Sequence, residues 1–106
     1  MLRILKVTGD SLAPEFQQGD FVLVSKIPFL FVPPSPADVI AFRQPGYGLL
    51  IKRIQNITPD GEVNAIGNHP ESIDSRVFGA VKREDLIGKV IWHIRKPRNS
   101  PLQNSN

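Results

Sequence analysis

Ten prolines and eight glycines are spread through a chain of 106 residues, and they break every apolar run before it reaches helical length. Proline removes a backbone donor and glycine loosens the backbone, so the segments between them read as short strands and turns. The expected class is mainly β, a compact fold of short strands and proline-rich loops. At this length one core is affordable and a second is not, which places a single domain over residues 1–94. The last twelve residues, 95–106, offer nothing to bury and are expected to form a mobile tail.

The strands follow from composition. Leu2 to Thr8 is strand-like and runs into the turn-forming Gly9-Asp10-Ser11. Phe21 to Ile27, FVLVSKI, is rich in β-branched and aromatic residues after the Gly19-Asp20 turn. Prolines exclude Pro28 to Pro36 from any interior strand, so this apolar stretch is a loop or an edge. Val39–Arg43, Leu49–Ile57 and Glu62–Ile66 then make a meander across the turns at Pro45-Gly46-Tyr47-Gly48 and Pro59-Asp60-Gly61. Gly67 to Arg76 is polar and turn-like, and Leu86–Ile94 is the last strand.

Composition also removes several kinds of function. With no cysteine there is no disulfide, no thiolate metal site and no cysteine nucleophile. The net charge of +3 draws on Arg95, Lys96 and Arg98 in the tail, while the other cations are scattered among acidic residues. With no recognition-helix pattern, nucleic acid is not an expected partner. No run approaches the roughly 18 apolar residues of a membrane span, and the N-terminus has no signal-peptide core, so a soluble, cytoplasmic protein is expected.

Two residues stand out chemically. Along Leu49–Ile57 side chains alternate, so Lys52 shares a face with Leu50 and Ile54. Burial against aliphatic atoms disfavours an ammonium and would leave an amine able to accept a proton. The plainer alternative is a lysine that snorkels to solvent. Ser11 by itself reads equally well as a turn or cap residue.

Taken together, the segments are more specific. Gly9-Asp10-Ser11-Leu12-Ala13-Pro14 followed by Gly19-Asp20-Phe21-Val22-Leu23-Val24 resembles the nucleophile box and next strand of the signal peptidase I family. Ile51-Lys52-Arg53-Ile54 resembles the box that holds that family's general-base lysine, and residues 67–79, GNHPESIDSRVFG, resemble the box that supports it. The similarity runs from about Val7 to Val90. It implies a β-rich fold shared with repressor-type self-cleaving peptidases and a serine endopeptidase with Ser11 as nucleophile and Lys52 as general base. It further implies that Ser72 hydrogen-bonds the Lys52 amine and that Asp74 pairs with Arg76 to hold the supporting loop. An ordinary surface ion pair is the alternative for the last two.

Departures from the family pattern carry expectations of their own. Leu12 stands where a methionine is usual, a volume-conserving change. Gly9 stands where some relatives place a hydroxyl, which leaves the oxyanion to backbone amides around Gly9 and Ser11. Asn68 follows Gly67 directly, without the familiar aspartate. The family's membrane anchor is not seen and only ten residues precede Ser11, so cleavage of a precursor in trans is expected rather than self-cleavage.

An extended substrate would add alongside Val7, Thr8 and Leu12. No metal or organic cofactor is required, and His69 and His93 have no ligand spacing that suggests one. Within the family the chain most resembles nickel-type superoxide dismutase maturation proteases, which implies a protein or peptide precursor as partner. For Phe29-Leu30-Phe31-Val32 three roles stay open: core cover, groove wall or membrane contact. The competing readings are a catalytically silent β-domain that binds a partner peptide and, less compatible with the pattern, a DNA-bound repressor fragment.

Overall fold

The computed structural model describes residues 2–9 and 12–96, and among them six strands form one antiparallel sheet. They are β1 (Leu2–Lys6), β2 (Phe21–Ser25), β3 (Val39–Gln44), β4 (Gly48–Ile57), β5 (Val63–Ile66) and β6 (Leu86–Ile94). A single-turn helix, α1 (Ser75–Phe78), precedes the return to β6. The mainly β class is what the proline and glycine spacing requires.

Strand order is β1-β2-β6-β3-β4-β5. The expected meander is present as β3-β4-β5, whereas β6 inserts between β2 and β3 and joins the meander to the β1-β2 hairpin. The strand most distant in sequence therefore closes the sheet. Gly88 permits that insertion: a Cβ there would lie 2.7 Å from the Ser25 carbonyl and 2.9 Å from a Val24 methyl.

β3 sits near the sheet centre, with Ile40, Ala41 and Phe42 all fully buried. A continuous apolar run suits a strand covered on both faces. On one face Ile40, Phe42, Ile54, Val63, Ala65, Val81 and Leu86 form a cluster against which Phe29 and Phe78 pack. On the other, Val7, Leu12, Phe16, Val22, Val24 and Ala41 form a second cluster. Burying each of Val22, Val24, Ile40 and Phe42 contributes about 1.5–3 kcal/mol of transfer free energy.

The proline-bounded segment is not a strand. Ile27–Leu30 makes a 3-10 turn, and of the four apolar residues that follow Pro28 only Phe29 reaches the core, while Leu30, Phe31 and Val32 are exposed. The outer face of β1, β2 and β6 is also uncovered. Cross-strand register places Ile4 beside Leu23 and Leu23 beside Trp92, with Phe21 beside Ile94 in the adjoining row. Among the described residues no helix is long and apolar enough to cross a membrane. Of the expected tail, residues 97–106 lie outside the described part, while the Lys96 amide is tied to the Asp20 carboxylate.

Candidate active site

Lys52 lies mid-way along β4, opposite Ile40 of β3, on the face it shares with Leu50 and Ile54. Only 4% of it is exposed, so it does not snorkel freely to solvent. Burial lowers its pKa from the ordinary lysine value; the Asp74 carboxylate pulls it back up and the Arg76 guanidinium pushes it further down. Among the described residues Lys52 forms no ion pair. An amine so placed is closer to neutral than one on the surface.

A cleft passes over this amine. One part runs between residues 5–9 at the end of β1 and residues 49–52 of β4, and Leu12 lines it too. The other part continues past Thr8, Gly9, Leu50 and Lys52 to the loop 69–73. Lys52 thus stands at their junction, with Thr8 and Gly9 across from it. Val7 and Leu12 contribute to the wall but are mostly committed to the core. Gly9 has φ of +77°, a left-handed conformation open to glycine at little cost.

The cleft is bordered by two strand edges. β1 is the sheet's terminal strand, and β5 pairs with β4 only from Arg53 to Ile57, so residues 49–52 have β3 on one side and no named strand on the other. Such edges present backbone groups suited to an extended peptide. Asp10 and Ser11, the latter the expected nucleophile, lie outside the described residues.

The loop beyond β5 is built around Asp74, which is fully buried. Its carboxylate accepts from Arg76 Nε at 3.0 Å and Arg76 Nη2 at 2.7 Å, a two-point pair. It also accepts from the backbone N–H groups of Gly67 at 2.8 Å and Arg76 at 3.0 Å. Burial opposes its ionisation, but these hydrogen bonds outweigh burial and hold its pKa below the ordinary carboxylate value. Arg76 reaches on to the His69 carbonyl at 2.7 Å, tying both ends of the loop to one carboxylate. Four donors on a buried acceptor make this more than a screened surface pair.

Ser72 lines the same cleft as Lys52, yet its buried hydroxyl has no hydrogen-bond partner among the described residues. The Ser72-to-Lys52 hydrogen bond implied by the resemblance is therefore not formed in this structure. A buried hydroxyl without a partner costs about 1–3 kcal/mol.

A family model described as Peptidase S24-like matches residues 1–91. The chain belongs to the Peptidase S24-like family. A probable signal peptidase I-1 of Synechocystis sp. (strain ATCC 27184 / PCC 6803 / Kazusa) is 26% identical over 132 aligned positions, covering 81% of this chain and 67% of that protein. As a Peptidase S24-like protein the chain is a serine peptidase, acting on protein or peptide substrates.

Sequence reasoning missed three tethers of this Peptidase S24-like chain. Arg53 pairs with Glu15, linking β4 to the turn after residue 12. Asn68 Nδ2 donates to the Ala13 carbonyl at 3.1 Å, joining the Asp74 loop to the same turn. Asp20 faces His93 Nε2 at 2.7 Å. Asn68 stood out as a departure from the family pattern, but the other pairs span 38 and 73 residues and carry no local signal.

Proposed function

We propose that the chain is a Ser/Lys endopeptidase that cleaves a precursor protein in trans, near the precursor's N-terminus. The observation that carries this reading is Lys52: a buried, charge-disfavoured amine at the centre of a cleft between two strand edges. The neutral amine takes the Ser11 hydroxyl proton as Ser11 Oγ attacks the scissile carbonyl. Backbone N–H groups at Gly9 and Ser11 stabilise the oxyanion. The lysine returns its proton to the leaving amine, then deprotonates a water that releases the acyl group. Ser72, whose hydroxyl is unengaged, orients the Lys52 amine once the cleft is filled.

The substrate lies extended between Val7–Gly9 and residues 49–52, with its backbone paired to the strand edges. Leu5, Leu12 and Leu49 line the cleft, and the resemblance to signal peptidase I implies small side chains next to the scissile bond. The precursor class is that of nickel superoxide dismutase, whose N-terminal amine must be freed before the metal binds. Bilayer contact is assigned to the uncovered face of β1, β2 and β6, where Lys6 stands beside Phe21 at the rim.

Incubation of wild type, Ser11→Ala and Lys52→Ala with a nickel superoxide dismutase precursor, followed by mass spectrometry of new N-termini, tests the reading. A single cut made by wild type alone is expected. Cutting by Ser11→Ala equal to that of wild type would take Ser11 out of the chemistry. No cut of any precursor peptide by folded wild type would favour a peptide-binding β-domain instead, and no cut of the dismutase precursor, with cutting of other precursor peptides by wild type, would reject the dismutase assignment alone.

A further inference from the structure

Asp20 is fully buried, although it occupies a turn where an exposed aspartate would serve as well. Its Oδ2 accepts from the Gln17 amide at 3.0 Å and faces His93 Nε2 at 2.7 Å, and its Oδ1 accepts from the Lys96 amide at 2.9 Å. Taking a carboxylate out of water is expensive unless each oxygen is engaged, so local turn formation alone does not account for it.

The surroundings of the pair are informative. Upstream of the segment that carries Ser11, the Asp20 carbonyl accepts from Val7 N–H at 2.7 Å, and Gly19 N–H donates to the Val7 carbonyl at 2.9 Å. Downstream, the His93 ring stacks on Phe16, with centroids 4.4 Å apart and planes at 26°. Phe16 N–H closes the turn by donating to the Leu12 carbonyl at 3.0 Å. One histidine-aspartate pair thus grips the chain on both sides of residues 9–12, and neither member lines the cleft around Lys52.

We infer that His93 and Asp20 are positioning residues: a clasp that fixes Val7–Gly9 on one side and Leu12–Phe16 on the other, and thereby governs turnover rather than substrate binding. The inference rests on the reading of Ser11 as nucleophile. A displacement of about 1 Å in a reacting group costs on the order of 100-fold in rate, which gives a remote clasp kinetic leverage.

The test combines amide exchange, which needs no substrate, with steady-state cleavage of an extended precursor peptide by the full chain. In His93→Ala the Val7 and Phe16 amides should exchange at least about tenfold faster, as expected for loss of a hydrogen bond to a charged group, with the β3 and β4 amides unchanged. The kcat should fall about 10- to 100-fold while KM holds. His93→Gln keeps a donor for Asp20 and a flat surface for Phe16, and should restore both. Phe16→Leu removes the stack and leaves the His93–Asp20 hydrogen bond, so it reports on the same segment if His93→Ala does not fold.

Unchanged exchange at Val7 and Phe16 in a folded variant would overturn the clasp, as would faster exchange with an unaltered kcat, or a rise in KM alone. Wild-type cleavage by Ser11→Ala would instead remove the functional reading on which the inference rests, and the exchange data would still say whether the pair holds the segment.

Discussion

Lys52 couples stability to activity through one amine. Its pKa is lowered in the folded state, so the unfolded chain binds more protons between that value and the ordinary one near 10.4, and stability rises with pH across this interval. Below it the buried ammonium is a net cost. Lys52→Met is therefore expected to abolish cleavage while raising stability at neutral pH by about 1 kcal/mol, measured by urea unfolding. In the wild type the rate should rise with pH through a single ionisation centred below the ordinary lysine value. Arg76→Gln removes a cation that depresses Lys52 and exposes the amine more fully to the Asp74 charge. Both changes act in one direction, so the ionisation in the pH–rate profile should move to higher pH. A shift to lower pH would contradict this electrostatic account.

At the scale of elements, the loop between β5 and α1 is held by a carboxylate, and the sheet is closed by a strand that tolerates no side chain at one point. Asp74→Asn removes the charge from a site with several donors and should cost about 2–3 kcal/mol, together with loss of activity as residues 67–73 loosen. Because the Asp74 pKa is depressed, its contribution is complete above about pH 4 and fades as pH falls through the folded-state value. The variant's deficit should shrink correspondingly in acid. Gly88→Ala places a methyl group into the Ser25 backbone and should cost about 1–3 kcal/mol. The segments themselves were legible from turn residues and β-branched runs, and alternation put Lys52 with Leu50 and Ile54. What was not legible was the partner of β6: the order of strands depends on which edges meet in space, and Gly88 signals a close approach without naming the neighbour. The pairing of His93 with Asp20 went unread for the same reason, since it depends on β6 lying beside β2, which no local pattern specifies.

For the whole molecule the decisive asymmetry lies between the covered and uncovered parts of one sheet surface. Around β3, β4 and β5 that surface is roofed by the 3-10 turn, α1 and the chain near Val81. Across β1, β2 and β6 the same surface is open, with Ile4 63% and Trp92 64% exposed and Leu2, Phe21 and Ile94 beside them. Scattered apolar residues need no explanation, but here register gathers them into two adjoining cross-strand rows. A tryptophan with an apolar body and a polar N–H suits the boundary between lipid and water, and Lys6 at the margin suits an anionic headgroup. If this face meets a bilayer, the protein should float with vesicles containing anionic lipid, less so as salt rises, and a paired Ile4→Ser, Trp92→Ser change should abolish flotation while leaving cleavage of a soluble peptide intact. The two properties are separable because neither Trp92 nor Ile4 borders the Lys52 cleft. Flotation that survives the double change would move the contact to Leu30, Phe31 and Val32, and absence of flotation in the wild type would leave the face without a membrane role.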